Sequence, residues 1–301
     1  MASQSLPSLL KNPDHYLKVF NTYCSASGKF NVYQAWVDSE HFSEAVVGKL
    51  QATLDGQEGL RVLGVGSGSG EIDCAILEQL LRQFPRIDNR VVDPSDELLG
   101  RYKALAESRA HQLHGVTCDW RQQTIEQYEK AGDLTKFHFI GAIHSMYHAD
   151  SEDALNSWLT YLYSRLENGG VMLIIMRTED CGCTRFLNGC QLSFRDDFND
   201  VTSGDVRSSL DRLGIAYTQY RQPQRMNIAT CFDRASEVGN LLLDFLTFTV
   251  CFREAAPEDL QTRVMEHLAS SDCSERNGDE IWLSLDWDAV VINKPLGIAA
   301  Q

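Results

Sequence analysis

Residues 60–73, LRVLGVGSGSGEID, constrain the fold more than any other stretch of the chain. A short apolar run leads into four glycines at alternate positions, then an acid and the start of an amphipathic segment. An apolar run of that length, closed by glycine, predicts a buried strand. The segment after it predicts a helix, whose first N–H groups find no partner inside the helix. Glycines between the two let a ligand come close to the backbone, so the loop is expected to be a small-molecule site.

The chain around this loop supports that reading. From residue 60 onward, strand and helix alternate. Strands are expected at 60–65, 90–93, 116–120, 137–143 and 171–176. Helices carry Ile72, Ala75, Ile76 and Leu80, then Leu98, Tyr102 and Leu105, and then residues 152–166, the last ended by Gly169-Gly170. Residues 121–130 read as a polar segment. Alternation of this kind specifies a parallel sheet covered on both faces. Beyond Met176 the rhythm changes, and residues 177–198 predict an irregular excursion over the strand ends. A helix capped by Thr202 follows, then a strand at 215–220, helices at 241–252 and 257–268, and a closing strand at 281–292. Residues 215–281 read as an insertion before that last strand.

Ahead of the first strand lies an aromatic segment. Asn12-Pro13 is a helix start, a capping side chain followed by proline at the first helical position. Tyr16, Phe20 and Tyr23 then recur on one helical face. Residues 30–54 carry Tyr33, Trp36, Phe42, Val46, Val47 and Leu50, as two helices broken near Asp38-Ser39. Two readings stand side by side here: a flap packed on the sheet, or a lid whose rings wall a pocket. With no repeat and no linker, residues 1–301 are expected to be a single domain. Its parts are a helical aromatic lid (1–55), a cofactor-binding core (60–176), and substrate-side excursions with closing strands (177–292).

Composition narrows the function. A hydrophobic content of 43% supplies a core for a chain of 301 residues. A formal net charge of -15 argues against nucleic acid as partner, since phosphates need clustered Lys and Arg. No apolar stretch approaches the roughly twenty residues of a membrane span, and the N-terminus MASQSLPSLL lacks the features of a signal peptide. The nine cysteines are scattered without a CxxC pair, Cys181-Gly-Cys183 being the nearest approach. They read as reduced thiols of a cytoplasmic protein, and no zinc site is expected. A monomer is the default expectation.

Which small molecule the loop holds is read from its spacing. A dinucleotide fingerprint is G-x-G-x-x-G, whereas this loop runs Gly64, Gly66, Gly68, Gly70. The G-x-G-x-G form suits S-adenosylmethionine, which has no pyrophosphate for a helix start to neutralise. Asp93, at the end of the second strand, can accept both ribose hydroxyls, a feature common to both nucleosides. The fourth strand ends in Ile143-His144-Ser145-Met146-Tyr147-His148, where an open α/β sheet places its ligands. His144 and His148 have no third ligand in the pattern, so metal is not expected. One imidazole is expected to face the pocket as a hydrogen-bond partner or weak base, and His148 is assigned to the surface.

Taken together, VGSGSGEID, the VVDPS of residues 91–95, the HSMYH turn, LLLDFLTFTVCF ahead of Ala256-Pro257 and the closing strand resemble the histamine N-methyltransferase family of class I methyltransferases. The resemblance runs over essentially the whole chain. It implies an α/β fold with a Rossmann-like, doubly wound, seven-stranded and mostly parallel sheet. It also implies an N-terminal helical lid, a helical insertion before the last strand, and S-adenosyl-L-methionine as methyl donor to a small-molecule substrate. Position by position, it implies cofactor contacts at Gly66, Asp93, Leu98, Ile125 and Ile143, with Thr124 beside them, and lid aromatics at Tyr16, Phe20 and Tyr23; the glycine loop itself adds Gly64, Ser67 and Gly68 to the expected cofactor contacts. His144 is the candidate base, with Tyr147 orienting the substrate.

The departures from the family concern the substrate. A family glutamate that receives the cationic amine falls on Lys29. A substrate-contacting asparagine falls on or near Leu285, with Asp286 as the alternative, and a glutamine becomes His144. Two pocket tryptophans fall near Cys183 and Leu187. Reversed charge at Lys29 disfavours histamine and favours a carboxylated imidazole or amine. An O- or S-acceptor and a non-catalytic S-adenosylmethionine-binding protein remain alternatives. A nicotinamide-dependent oxidoreductase is disfavoured by the loop spacing and by the lack of a Tyr-xxx-Lys relay.

Overall fold

A computed structural model describes residues 6–54, 59–190 and 200–297. Along the chain, α1 (Pro13–Ser27), α2 (Lys29–Val37), α3 (Glu40–Phe42), a π turn and α4 (Gly48–Thr53) precede the first strand. Then come β1 (Gly59–Val65), α5 (Glu71–Leu81), β2 (Arg86–Val92), α6 (Asp96–Ser108), β3 (Val116–Arg121), α7 (Ile125–Lys130) and β4 (Phe137–Ile143). They are followed by α8 (Glu152–Arg165), β5 (Leu166–Arg177), α9 (Gly182–Gly189), α10 (Ser203–Arg212), β6 (Thr218–Gln222) and β7 (Arg225–Asn227). The chain closes with α11 (Glu237–Thr247), α12 (Phe252–Ala255), α13 (Glu258–Ala269), β8 (Ser274–Asn277), β9 (Glu280–Ser284) and β10 (Trp287–Asn293). These elements form two compact units, one of residues 30–176, 205–220 and 288–301, the other of residues 1–29, 177–204 and 221–287.

The first unit carries the seven-stranded sheet, in the order β3-β2-β1-β4-β5-β10-β6. The pairs β3–β2, β2–β1, β1–β4 and β4–β5 are parallel. β10 runs against β5: Gly169 and Gly170 pair with Lys294 at one end, and the Thr178 N–H reaches the Asp286 carbonyl at the other. β4 is buried along its whole length, and β5 from Gly169 to Met176, as expected of strands covered on both faces. The mostly parallel, doubly wound sheet expected from the alternation is therefore present. Because the order runs outward from β1 in one direction and from β4 in the other, the switch point lies between their carboxyl ends. That is where such sheets bind ligands.

The second unit packs helices around a three-stranded antiparallel sheet, β7-β9-β8. Phe186, Phe252, Leu187, Leu243, Leu268 and Leu283 fill its core. α1 begins as the sequence predicts, with the His15 N–H donating to the Asn12 side chain and Pro13 in the first turn. It ends at Gly28, left-handed at φ 60.

Three expectations are corrected. Gly169-Gly170 does not end a helix, because α8 already stops at Arg165 and both glycines lie inside β5. The closing stretch 281–292 is two strands, β9 in the small sheet and β10 in the large one, separated at Leu285-Asp286. The excursion from residue 177 contains α9, whose first turn is capped by the Cys181 thiol accepting the Thr184 N–H. Residues 191–199 of that excursion lie outside the described residues.

Candidate functional site

At the switch point the loops leaving β1 and β4 touch. Gly66 adopts a left-handed φ of 63, and a Cβ there would stand 2.4 Å from the Ser145 Cβ. Only glycine allows that approach. Gly68 is also left-handed, at φ 57, yet a Cβ on it would meet nothing within 4 Å. The loop thus presents open backbone at Gly68. Its N–H donates to Asp93 Oδ2 at 2.9 Å, while the Ser95 N–H donates to Oδ1 at 2.9 Å. Asp93, only 4% exposed, therefore fixes the glycine loop and the start of α6 at once. Ser95 caps α6 by accepting the Leu98 N–H, which brings half-buried Leu98 to the same edge. After β3, Thr124 and Gln127 form a capping box on α7, with Ile125 buried behind it. Ile143 closes β4, also buried.

Gly64 plays a different part. The space a side chain on it would need is filled by the chain itself, with Ser67 Oγ at 2.4 Å and Asp73 Oδ2 at 2.7 Å from the Cβ position. Asp73, in the first turn of α5, is half-buried at its surface but densely surrounded. Burial raises its pKa to about 7, against the Ser67 hydroxyl, which favours the ionised form; Asp93 and Glu71 raise it further. At the Gly66 end of the loop, the Ser145 hydroxyl is buried with no hydrogen-bond partner. Open backbone, a buried carboxylate and a partnerless buried hydroxyl suit a ligand that carries both hydroxyls and charged groups. These residues fit a nucleoside with an amino-acid tail.

Beyond β4 the chain is held in an unusual conformation. His144 is left-handed at φ 51, costly for a residue with a Cβ, and its N–H donates to the Ile175 carbonyl at 2.8 Å. Its Nε2 is hydrogen-bonded to the hydroxyl of buried Tyr33 on α2, the two rings edge-on at 5.4 Å between centroids. Tyr33 appeared in the sequence only as one of several aromatic residues, and nothing there marked it as the partner of His144. The turn Met146–His148 carries half-buried Tyr147, with exposed His148 against its ring.

The other candidate residues lie in the second unit. Tyr16 and Phe20 stack on α1 at 5.8 Å, and Tyr23 stacks on Phe245 of α11 at 4.1 Å. Phe245 also meets Phe20 and Phe248, giving a wall of five rings. Lys29 places its ammonium 4.9 Å from the Phe20 ring centroid. Phe245 and Phe248 read in the sequence only as an apolar helix; their place in the wall depends on the contact of α11 with α1. That contact is also pinned by His15, whose Nε2 bonds Asp244 at 2.7 Å. Cys183 and Leu285 share one apolar cluster, and Tyr23 packs against it. Burial holds the Tyr23 phenol well above its ordinary pKa. Leu285 is buried, while Asp286 faces Arg221 and accepts the Gln224 N–H.

A switch-point glycine loop, locked to a carboxylate at the end of the adjacent strand, in a mostly parallel sheet whose β10 runs against β5, defines a methyltransferase core. Comparison with known proteins agrees. Residues 37–243 match the family described as methyltransferase domain. The chain is 30% identical to histamine N-methyltransferase of Xenopus tropicalis, with 96% of this chain and 98% of that protein covered. It is 29% identical to carnosine N-methyltransferase 2 of Gallus gallus, covering 89% of this chain and 83% of that one. In fold it is similar to the plantazolicin methyltransferase BpumL, solved with SAH, at TM-score 0.51, 15% identity and coverage of 95% and 92%. The chain belongs to the histamine N-methyltransferase family of methyltransferases.

Proposed function

We propose that this protein is an S-adenosylmethionine-dependent N-methyltransferase whose acceptor is a small imidazole or amine bearing a carboxylate, rather than histamine. When bound, the cofactor supplies a methyl group already activated by its sulfonium centre. Asp93 accepts the ribose hydroxyls, Gly66, Ser67 and Gly68 receive the amino-acid part, and Leu98, Ile125 and Ile143, beside Thr124, surround the base. The protein's remaining work is to orient the acceptor nitrogen and exclude water. Tyr16, Phe20 and Tyr23 hold a flat acceptor, with Cys183 and Leu285 shaping the apolar end. His144, its ring fixed by Tyr33, takes the proton that leaves the acceptor nitrogen, and Tyr147 orients the substrate.

The observation that carries the choice of acceptor is the Lys29 ammonium on the aromatic wall. Two like charges about 5 Å apart repel by roughly 3 kcal/mol at an effective dielectric constant of about 20. That is enough to turn a cationic amine away and to hold a carboxylate. The relative named for carnosine, an imidazole dipeptide with a carboxylate, supports the same reading. The proposal carries with it a cytoplasmic monomer that engages neither nucleic acid nor membrane. The net charge of -15 argues against nucleic acid as partner; no helix among the described residues is long and apolar enough to cross a membrane.

The test is turnover of labelled S-adenosylmethionine against histamine, histidine, carnosine and simple amines, repeated with Lys29→Glu. The wild-type protein is expected to prefer a carboxylated acceptor. Lys29→Glu should improve histamine and weaken the carboxylated imidazole. Unchanged selectivity in the variant would remove Lys29 from the acceptor site.

A further inference from the structure

Asp73 has no part in the reading above, yet it stands at the cofactor loop. Its carboxylate fills the space beside Gly64 together with Ser67. The titratable groups that face it are Glu71 and Cys74 on α5, Asp93 after β2, Tyr102 on α6 and Cys118 on β3. All are acids. Of these, Asp93 and Glu71 oppose an ionised Asp73, while Cys74, Cys118 and Tyr102 stay protonated and uncharged near neutrality; the Ser67 hydroxyl favours the ionised form. Elsewhere along the same loop, the Ser145 hydroxyl, buried without a partner on a residue packed on Gly66, points independently to a ligand as the missing component.

We propose that Asp73 is the electrostatic counterpart of the cofactor's positive charge, and that it gives up a proton when the cofactor binds. This rests on the assignment of S-adenosylmethionine to the site. A fixed positive charge brought to the loop favours the carboxylate over the carboxylic acid, as an opposite charge within a few ångströms does elsewhere. The proton goes to solvent, and no covalent bond is made or broken. Below neutrality the free protein carries Asp73 protonated, consistent with a pKa of about 7, so binding must displace that proton. Affinity then rises with pH up to about 7 and levels off above it. Over the two pH units below that point the apparent dissociation constant should fall by on the order of tenfold per unit.

Calorimetric titration with S-adenosylmethionine at pH 6.5, in buffers of different ionisation enthalpy, counts the protons released. The wild-type protein should release a large fraction of one proton, and Asp73→Asn, which cannot ionise, should release that much less. Ser67→Ala removes the neighbouring hydroxyl that favours the ionised form. It should move the midpoint of the affinity–pH curve upward, a result that does not depend on the fate of Asp73→Asn. Equal proton release by wild type and Asp73→Asn, or an unmoved midpoint in Ser67→Ala, would overturn the proposal while leaving the cofactor assignment intact. Absence of any binding heat or competition by the wild-type protein would overturn both.

Discussion

Alanine at Gly66 and at Gly68 separates the two jobs of the glycine loop, because the two positions share a backbone conformation and differ in what lies in front of them. Both are left-handed, at φ 63 and φ 57. That conformation costs an alanine about 1–2 kcal/mol, of which about 0.4–1 kcal/mol is returned by the less flexible unfolded chain. At Gly68 nothing else opposes the new methyl group, so the net loss of stability should be about 1 kcal/mol. At Gly66 the methyl group would stand 2.4 Å from the Ser145 Cβ. Overpacking of that kind adds about 1–3 kcal/mol, for a total of roughly 2–4 kcal/mol. Thermal and urea unfolding of the ligand-free proteins should therefore rank wild type, Gly68→Ala, Gly66→Ala. Binding should not follow that order. A methyl group on Gly68 projects into the open space assigned to the cofactor, so S-adenosylhomocysteine should bind about 10–100-fold more weakly despite the small stability change. Calorimetric titration reads this directly. Wild-type affinity in Gly68→Ala would show that the open space is not where the cofactor lies. Equal stability of the two variants would show that the loops after β1 and β4 part easily.

Three further outcomes follow from side chains outside the loop. Tyr33→Phe removes the hydroxyl on His144; kcat should fall about tenfold with cofactor affinity unchanged, and the pH profile of kcat should shift, which a merely structural role would not produce. His138 is buried, its Nδ1 accepts the Arg61 N–H at 3.0 Å, and burial followed by the Arg61 charge lowers its pKa to about 4 from an ordinary 6.5. The unfolded chain takes up this proton first, so the contribution is present above pH 6.5 and is lost as pH falls toward 4, by up to about 3 kcal/mol. Urea midpoints at pH 7 and pH 4.5 should diverge less in His138→Gln than in wild type. Asp244→Ala leaves the Cys251 and Phe252 N–H groups and His15 without their acceptor, and should cost at least about 2 kcal/mol in chemical unfolding.

What the sequence disclosed, and what it hid, follows from the range of the interactions involved. β4 was legible to the residue because FHFIGAI, apolar on both faces apart from His138, has the pattern of a strand covered on both sides. The start of α1 was legible because Asn12 and Pro13 act within one turn of each other. The division between β9 and β10 was not, since IWLSLDWDAVVIN runs on without glycine or proline while the chain changes sheets at Leu285-Asp286. α9 was hidden by its cap: a cysteine thiol does there what serine or aspartate usually does. At the candidate site the same distinction holds. Gly68 and Asp93 announce themselves through the strands they terminate. Tyr33 meets His144 across 111 residues, a contact that only the fold creates.

That distinction also explains how a family resemblance can identify the cofactor end and leave the acceptor open. Asp93 contacts the loop through backbone N–H groups, so its partners are fixed by chain conformation rather than by neighbouring side chains. Lys29 is placed with similar economy but opposite consequence. It follows Gly28, whose left-handed turn ends α1 and whose N–H donates back to the Cys24 and Ser25 carbonyls. The turn delivers whatever residue stands at position 29 to the same location, beside Phe20. An exchange of glutamate for lysine at that point reverses the charge on the aromatic wall without disturbing the turn or the stacked rings that form it. If the acceptor lies against that wall, as proposed, its choice is free to change while the fold and the glycine loop stay as they are.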